Sequence, residues 1–454
     1  MPDIRPVKKE EKLTLTIHDL NHQGEGVGKY RNFAIFVPFA LPGEKVRITI
    51  TEVKKNYARG QVLQHQDRSS QRVKPPCPFF QECGGCQLQH LSYKGQLQYK
   101  ENLVANQMKK VAGLKNPRVL PAIGMESPWY YRNKFQIPVK PIGGKPRLGL
   151  FQKRSQNLVE IDHCMIQKHG NNEVLEKMRN LVDSYEKEFY NCELKHIISR
   201  VGDKTDQVQL TFVTGSEKID NKQMILEPLK NGMANLVGIV QNINKKPRGN
   251  VLGDRFKTLW GREYLMDNLL DKKFRVSAGA FYQVNPSQTE VLYQKVFELC
   301  KLKGVENVMD IYCGIGTISL LAAENASKVV GIEIAEEAVK DANINKNING
   351  QENAWFYQAR AEDEKTESII QDYSPEIVIM DPPRKGCDEN LLTSLDWIRP
   401  EKIAYVSCNP ATLARDVGKL IEFGYYPELF QPVDMFPQTT HIEVICILTK
   451  IDYL

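Results

Sequence analysis

The pattern of hydrophobic and polar positions changes character along the chain. At the start, short runs alternate with period two and are separated by turns containing glycine or proline. The runs are KLTLTIHDL, FAIFVPFAL and EKVRITITEVKKNYARGQVLQ, and the turns are GEGVGK and LPGE. Such alternation is typical of strands with one buried face. We therefore predict a small N-terminal β-barrel over residues 1–68.

The middle of the chain mixes helical and strand patterns. The stretch YKGQLQYKENLVANQMKKV predicts a helix near residues 93–112, and strands are predicted for DQVQLTFVT and LVGIVQNIN. An α+β domain over residues 69–280 fits this mixture, and Pro75-Pro76 opens a cysteine-rich loop at its start. We expect the helix near 93–112 to pack on the domain that follows.

The last part of the chain, residues 281–454, alternates strands with helices. Its apolar runs are NVMDIY, KVVGIEI, IVIMD, KIAYVSC and EVICILTK, most of them separated by helical stretches. This order favours an α/β, Rossmann-like domain, with an open and mostly parallel sheet covered by helices on both faces. A chain of 454 residues is too long for one compact core, which agrees with a multidomain protein.

The composition is ordinary for a globular protein, with 41% hydrophobic and 26% charged residues. No apolar run is long enough to span a bilayer, and the first residues lack the apolar core of a secretory signal. We therefore expect a cytoplasmic protein with no membrane partner. Its 10 cysteines should stay reduced unless they bind metal or react.

The positive charge is concentrated rather than large overall. The net charge is +6, yet Ser127–Val159 contains no acidic residue. Its basic residues are Arg132, Lys134, Lys140, Lys145, Arg147, Lys153 and Arg154, and its aromatic residues are Trp129, Tyr130, Tyr131, Phe135 and Phe151. Basic groups neutralise phosphates and aromatic rings stack on unpaired bases, so the run is a candidate nucleic-acid surface. A solvated sheet face with its aromatic rings turned inward is an equally good interpretation.

A candidate nucleotide pocket lies in VMDIYCGIGTISLLAAENASKVVGIEI. Gly314 and Gly316 allow a tight turn beneath a ligand, and Glu333 at the end of the next strand can hold ribose hydroxyls. Dinucleotide enzymes and S-adenosylmethionine (SAM) methyltransferases share this layout, but Ser319 occupies the position of the third glycine in the dinucleotide fingerprint. In IVIMDPPRKG, Asp381 leaves a strand at the edge where such sheets bind ligands. This order of features favours a SAM methyltransferase.

Cys408 ends the strand that follows the Asp381 turn, so we expect it to face the same crevice. A cysteine beside a methyl donor suits the methylation of uracil at C5. This carbon is too weak a nucleophile to take a methyl group directly, and a thiolate that adds at C6 turns C5 into an enolate carbon. Glu443 is the one acid in the apolar final strand and is the candidate base for the C5 proton, since partial burial would raise its pKa. A core thiol and a surface acid are the alternative interpretations. Among the other thiols, Cys387 is the second candidate, Cys313 should pack under SAM, and Cys192, Cys300 and Cys446 are interpreted as core.

Four segments resemble the RNA uracil-5-methyltransferases of the TrmA/RumA group over nearly the whole chain: SCNPATLARD, DPPRKG, DIYCGIGTISL and FYQVNPSQTE. The resemblance implies that Cys408 is the nucleophile and Glu443 the base. It also implies SAM contacts from Gln283, Tyr312, Glu333 and Asp381. For Gln283, the residues alone suggest only a nearby helix N-cap at Asn285 or Ser287. The N-terminal segment GEGVGKYRNFAIFVPFALPGE resembles a TRAM domain, a small OB-like RNA-binding barrel.

The loop CPFFQECGGCQLQH supplies Cys77, Cys83 and Cys86, and Cys164 is the candidate for a fourth ligand. By spacing alone, zinc and an iron–sulfur cluster are both allowed, and a disulfide is disfavoured. The resemblance implies a [4Fe–4S] cluster rather than zinc. We interpret it as a structural clip for RNA-binding elements, because C5 methylation moves no net electrons.

The resemblance also bears on the RNA substrate. Family members that act on the T loop of tRNA typically lack both the TRAM domain and the cysteine loop, so this chain resembles the branch that methylates 23S ribosomal RNA. The target uridine must be unpaired or flipped out to meet a thiol. We expect a monomer. The alternatives are a tRNA T-loop methyltransferase, a cytosine C5 methyltransferase that would need a group protonating N3, and a non-catalytic RNA-binding assembly factor.

Overall fold

The computed structural model describes residues 6–246 and 249–451, and a closed five-stranded barrel forms its N-terminal part. The strands are β1 (Lys12–Leu20), β2 (Gly26–Tyr30), β3 (Phe33–Val37), β4 (Lys45–Val53) and β5 (Tyr57–Asp67), in the closed order β1-β2-β3-β5-β4. Alternate residues of β1 are buried, so Leu13, Leu15 and Ile17 fill the interior together with Val46 and Ile48 of β4. The predicted N-terminal barrel is confirmed.

The middle of the chain builds a six-stranded sheet in the order β13-β12-β11-β10-β6-β7. Its elements and the short strands beside it are α1 (Tyr93–Lys110), β6 (Lys134–Ile142), β7 (Lys145–Leu148), β8 (Leu150–Phe151), β9 (Leu158–Val159), α2 (His169–Ser184), α3 (Glu186–Asn191), β10 (Leu194–Val201), β11 (Val208–Thr214), α4 (Lys222–Gly232), β12 (Leu236–Ile243) and β13 (Arg255–Gly261). The helices α2, α3 and α4 share one buried cluster with the sheet, through side chains such as Met178, Phe189 and Leu229.

The C-terminal part is a seven-stranded sheet in the order β18-β17-β16-β19-β20-β22-β21, preceded by the hairpin β14-β15. Its elements are β14 (Tyr264–Leu269), β15 (Lys272–Ser277), α5 (Pro286–Cys300), β16 (Asn307–Ile311), α6 (Thr317–Ala322), β17 (Lys328–Glu333), α7 (Glu336–Ile348), β18 (Ala354–Gln358), α8 (Glu364–Tyr373), β19 (Ile377–Met380), α9 (Glu389–Ile398), β20 (Lys402–Ser407), α10 (Pro410–Glu422), β21 (Tyr425–Val433) and β22 (Glu443–Lys450).

Helices cover both faces of the seven-stranded sheet. Val308 of β16 belongs to the buried cluster that contains α5, α6 and α7, whereas the adjacent Met309 belongs to the cluster that contains α8, α9 and α10. The pairs β16–β17, β17–β18, β16–β19 and β19–β20 are parallel, and β22 runs antiparallel to both of its neighbours. The predicted C-terminal Rossmann-like fold is confirmed.

Helix α1 lies between the barrel and the C-terminal sheet. Its Val104 and Met108 belong to the same buried cluster as Leu413 of α10, and the hydroxyl of Tyr99 donates a hydrogen bond to the carbonyl of Asn21, 2.9 Å away, at the end of β1. The domain boundaries at residues 68 and 280 stay predictions. Within the described residues, no helix combines the length and the apolar character needed to cross a bilayer.

The basic and aromatic run between residues 127 and 159 is divided between two roles. Tyr131 and Phe135 are buried, so they serve as core residues rather than as stacking platforms. Arg147 forms an ion pair with Asp183 at 2.8 Å, whereas the ring of Phe151 is exposed. The interpretation with aromatic rings turned inward therefore applies to part of the run, and the exposed remainder is still available for nucleic acid.

Candidate active site

A glycine turn at the end of β16 forms one wall of a cavity. The backbone N–H of Tyr312 donates to the carbonyl of Ile332 at 2.9 Å, and Tyr312 adopts a left-handed conformation with φ 74°. Gly316 has φ 83°, and a Cβ there would lie 2.8 Å from the ring of Phe356. At Gly314, with φ 56°, a Cβ would meet no protein atom within 4 Å. Gly314 therefore faces open space on the cavity side, and Gly316 supports the turn from behind.

Glu333 at the end of β17 closes this turn. Its Oε2 accepts a hydrogen bond from the backbone N–H of Gly314 at 3.2 Å, and its Oε1 accepts one from that of Ala335 at 2.8 Å. Beneath the turn, the hydroxyl of Ser319 donates to the buried carboxyl of Asp310 at 2.5 Å. Burial raises the pKa of Asp310 to about 7. Ser319, in the position of a third fingerprint glycine, thus anchors the helix to the strand.

Asp381 follows β19 and faces the same space. The side-chain amide of Gln283 donates a hydrogen bond to its Oδ2 at 3.4 Å, and Asn133 in turn donates to the carbonyl of Gln283 at 3.1 Å. Removal from bulk water raises the pKa of Asp381 to about 7, and repulsion by Asp310 adds to the shift. Asn285 caps α5 by accepting a hydrogen bond from the N–H of Gln288, as the sequence suggested for that position.

These elements enclose a cavity of about 560 Å³ at the carboxyl edge of the sheet. A volume of this size is typical of a small-molecule site. The sequence-predicted residues that line it are Gln283, Tyr312, Gly314, Glu333, Asp381, Cys408 and Glu443, whereas Gly316 is not part of its wall. The open space above Gly314, with Glu333 and Asp381 on the strands to either side of β16, fits a nucleoside with a cationic sulfur, as in SAM. The individual SAM contacts stay predictions.

Cys408 and Glu443 meet at the ends of two paired strands. In the antiparallel register of β20 and β22, Ser407 pairs with Val444, which places the next residue, Cys408, beside Glu443. Of the thiols in the described part of the chain, Cys408 alone lines the 560 Å³ cavity. Asn409 then caps α10, because its side chain accepts a hydrogen bond from the N–H of Ala411 at 3.1 Å. This polar turn explains why the thiol ends at the sheet edge rather than inside the core.

Burial and the neighbouring carboxylates favour the neutral forms of Cys408 and Glu443. Burial raises the pKa of the Cys408 thiol, the carboxylates of Glu443 and Asp381 add to this and the Arg384 guanidinium opposes them, which leaves the pKa at about 11. Glu443 is 4% exposed, and its Oε2 has no hydrogen-bond partner within the described residues. Burial raises the pKa of Glu443 well above its usual range, and Asp381 adds to this while Arg384 again opposes. Arg384 is therefore the cation that favours both ionised groups.

The cavity also has walls that the sequence analysis did not assign, formed by Arg132, Phe281, Arg384, Phe436 and His441. His441 lies on the cavity wall, where surrounding protein atoms lower its pKa to about 4, so the imidazole is neutral at pH 7. Its ring meets that of Phe436 edge to face, with 6.0 Å between centroids. The sequence could have indicated His441 through its spacing of two residues from Glu443, since alternate residues of an extended segment share a face.

Apart from the four predicted metal ligands, the remaining thiols are buried and do not line this cavity. Cys387, the second candidate nucleophile, donates a weak hydrogen bond to the hydroxyl of Tyr405 at 3.6 Å, and burial raises its pKa to about 12. Cys313 lies against Gly331, where a Cβ would come within 2.8 Å of its sulfur. Three thiols are buried elsewhere: Cys192, Cys300 and Cys446. The geometry thus favours Cys408 over Cys387 as the nucleophile.

A second cavity, of about 470 Å³, brings together the four cysteines predicted as ligands, which are Cys77, Cys83, Cys86 and Cys164. Burial raises the pKa of all four thiols, that of Cys164 to about 11, and proximity of Cys164 raises that of Cys86 further. The two cavities adjoin, because Arg132, Val284, Arg384, Phe436 and His441 line both.

A zinc ion and a [4Fe–4S] cluster differ in how their ligands must be arranged. In residues 6–246 and 249–451, no group of three or more His, Cys, Asp or Glu side chains is arranged so that it could hold a metal ion. A zinc ion needs its four ligands around one point. A [4Fe–4S] cluster takes one thiolate on each iron, so its four sulfurs stand farther apart. The four predicted ligands are half-buried thiols around one cavity, and the cluster stays a prediction.

Comparison with known proteins agrees with this geometry. The profile of the tRNA (uracil-5-)-methyltransferase family matches residues 92–451, and that of the TRAM domain matches residues 6–63. The chain is 43% identical over 448 residues to an "Uncharacterized RNA methyltransferase" of Halalkalibacterium halodurans, covering 98% of each chain. It is 41% identical over 459 residues to another of Clostridium acetobutylicum, covering 100% of each.

A solved structure is similar over almost the entire length. It is the tRNA (uracil-54, C5)-methyltransferase of Pyrococcus abyssi in complex with S-adenosyl-L-homocysteine, with a TM-score of 0.74 and 27% identity over 96% of this chain and 100% of that chain. The profile match covers most of the chain, and the glycine turn, Asp381 and Cys408 all lie within it. The chain therefore belongs to the family of SAM-dependent RNA uracil-5-methyltransferases and begins with a TRAM domain.

Proposed function

We propose that this enzyme methylates C5 of an unpaired uridine in 23S ribosomal RNA, with Cys408 as nucleophile and Glu443 as base. The observation that carries the proposal is the position of these two side chains, which lie beside each other on the wall of one cavity. A thiol and a carboxyl group in that arrangement suit a reaction that begins by addition to a ring and ends by elimination.

The first step belongs to Cys408. Its thiolate adds to C6 of uracil and forms a carbon–sulfur bond, and the electron pair of the C5–C6 double bond makes C5 nucleophilic. Because the pKa of this thiol is about 11, most of it is protonated at neutral pH, and its proton must pass to water before the sulfur adds to the ring. Arg384 supports that loss, since its positive charge favours the thiolate.

The second half of the reaction belongs to Glu443. SAM would supply the methyl group that C5 takes, and with its sulfur–methyl bond broken it would leave as S-adenosyl-L-homocysteine. The C5 proton must then leave so that the thiolate is eliminated and the double bond is restored. The carboxylate of Glu443, whose ionised form Arg384 favours, accepts this proton and later releases it to water; because burial raises its pKa, this carboxylate is a strong base. Product leaves with one new C5–methyl bond, and Cys408 is regenerated.

The cofactor is held by residues at the two ends of the cavity. Glu333 holds the ribose hydroxyls, Tyr312 and Gly314 form the floor, and Gln283 with Asp381 faces the amino-acid end. This assignment is supported by the open space above Gly314 and by the hydrogen bond between Gln283 and Asp381.

The four cysteines of the second cavity hold a [4Fe–4S] cluster. Support comes from their common cavity and from its contact with the active-site cavity through Arg132 and Phe436. When bound, the cluster would cross-link the cysteine loop to residue 164 as a structural clip. The chemistry of the methyl transfer is carried by Cys408 and Glu443 without it.

One observation favours the alternative substrate, which is the T loop of tRNA. The Pyrococcus abyssi enzyme is described as acting on tRNA uracil-54, and its match to 96% of this chain must include most of the barrel. The barrel therefore does not separate the two RNA substrates by itself. The 23S proposal is supported by the likeness of the cysteine loop and barrel together to the ribosomal branch.

The test uses RNA fragments that contain 5-fluorouridine, incubated with SAM and the enzyme. Fluorine cannot leave as a cation, so the adduct should stay covalently bound to Cys408, and mass spectrometry of the peptide and RNA then identifies both partners. We expect an adduct with 23S fragments and none with Cys408→Ala. An adduct with tRNA alone would replace the 23S proposal by the tRNA one. RNA binding without an adduct or methylated product would indicate an assembly factor.

A further inference from the structure

Helix α1 presents two buried polar side chains to the loop that joins β21 to β22, residues 434–442. Gln96 and Lys100 are four residues apart, so they share one face of the helix. Both are fully buried, and buried polar groups need partners. The ammonium of Lys100 forms an ion pair with Asp434 at 2.5 Å and donates to the carbonyl of Phe436 at 3.1 Å.

Gln96 binds the same loop at a second point. Its amide nitrogen donates to Oε1 of Gln438 at 2.9 Å, and its own oxygen accepts a hydrogen bond from the backbone N–H of Gln438 at 2.9 Å. It also donates to the carbonyl of Leu91 at 2.9 Å, which fixes the orientation of the amide. The β21–β22 loop is thus held at residues 434, 436 and 438 by two side chains of one helix.

The β21–β22 loop carries or adjoins the side chains that face the substrate. Phe436 and His441 line the active-site cavity, and Glu443 is the first residue of β22 after the loop. Tyr131 adds a further contact, since its hydroxyl donates to the carbonyl of Pro437 at 2.9 Å. A shift of this loop would therefore move one cavity wall and the base relative to Cys408.

We propose that Gln96 and Lys100 are positioning residues for the β21–β22 loop. They touch neither substrate nor cofactor, and by fixing the loop they hold Phe436 and Glu443 toward Cys408. Apolar side chains would fill the same volume without directional bonds, whereas a buried ion pair and a paired amide allow one arrangement of the loop. The inference rests on the proposed roles of Cys408 and Glu443.

The experiment compares kcat, the KM for RNA, the affinity for S-adenosyl-L-homocysteine and thermal unfolding. The variants are Gln96→Leu, Lys100→Met and the double variant Lys100→Met/Asp434→Asn, and Lys94→Met is the control, an exposed lysine on the same helix. We expect the three variants to lose kcat by about 10- to 100-fold, as small misplacements of reacting groups do. Affinity for S-adenosyl-L-homocysteine should fall much less than kcat, since Glu333 lies on β17, away from the loop. The loop reaches the cofactor residue Gln283 indirectly, through the bond from Asn285 to the carbonyl of Met435.

Each outcome decides the role. Lys100→Met leaves the buried Asp434 without its cation, so if it fails to fold, the double variant decides, because it leaves no buried charge unpaired. A folded variant with wild-type kcat would refute the positioning role, and so would parallel losses of kcat and cofactor affinity. If the wild-type enzyme itself gives no methylated uridine and no 5-fluorouridine adduct, the proposed function fails, which is a separate result.

Discussion

The carboxylate of Glu443 raises the pKa of the Cys408 thiol, because the two side chains lie beside each other at the ends of β20 and β22. The same proximity that suits Glu443 to remove a proton from the ring therefore works against forming the nucleophile. Arg384 opposes this effect on both groups. Arg384 is thus a cation of the site whose charge favours a thiolate and a carboxylate side by side.

Replacement of Glu443 by glutamine should trap the reaction after methyl transfer. The amide cannot take the C5 proton, so the methylated ring should stay bonded to Cys408 on ordinary uridine RNA. Denaturing electrophoresis with methyl-labelled SAM would detect a labelled protein–RNA band for Glu443→Gln, with free product reduced by at least about 100-fold. Glu422→Gln, an exposed acid of α10, is the control and should release product like wild type. Normal release by Glu443→Gln would exclude it as the base.

The reactivity of Cys408 should rise steeply with pH. Only the thiolate is alkylated, and with a pKa of about 11 its fraction grows about tenfold per pH unit between pH 7 and 10. Arg384→Gln removes the charge that lowers this pKa, so alkylation should be slower at each pH. Mass spectrometry of the Cys408 peptide after treatment with iodoacetamide gives the rate. Lys385→Gln is the matched control, and equal slowing by both substitutions would argue against a specific role for Arg384.

Glu333 should contribute to cofactor affinity through its charge. Its carboxylate is already fixed by the N–H groups of Gly314 and Ala335, so it is oriented before the ligand binds. Hydrogen bonds to a charged group contribute about 1.5–3 kcal/mol, so Glu333→Ala should weaken S-adenosyl-L-homocysteine by at least about tenfold. Titration calorimetry measures this. Glu336→Ala, an exposed acid at the start of α7, should change nothing. Unchanged affinity in Glu333→Ala would remove it from the cofactor site.

The sequence predicts those parts of the molecule that follow from a local pattern or from the place of a residue at the end of a strand. Period-two alternation predicts the barrel, and strand ends followed by polar turns predict that Glu333, Asp381 and Cys408 share one edge of the sheet. Parallel strands bring their carboxyl ends together, so three positions distant in sequence converge without knowledge of any side-chain contact.

The parts that the sequence does not predict depend on contacts between distant segments. In the sequence, Lys100 is one of many polar residues of a predicted helix, and its partner Asp434 lies in a loop 334 positions later. For Tyr131 the sequence leaves a base-stacking ring and an inward-turned ring equally open, and the structure shows it buried, with its hydroxyl donating to the carbonyl of Pro437. Neither role follows from periodicity, since both depend on how α1 and the segment before β6 pack against the β21–β22 loop.

The cysteine cavity gives a prediction about metal content. Protein purified without oxygen should be brown and contain about four irons per chain, as four thiolates around a cubane require. Cys164→Ser removes the ligand that joins the loop to the middle of the chain, so most of the iron should be lost. Cys192→Ser is the control, because this thiol is buried elsewhere in the same part of the protein.

Iron analysis and visible absorption measure the cluster, and proteolysis of the cysteine loop measures its structural effect. If the cluster is a clip, Cys164→Ser should expose the loop to protease, while the alkylation rate of Cys408 should change less than in Arg384→Gln. Stoichiometric zinc without iron would contradict the cluster.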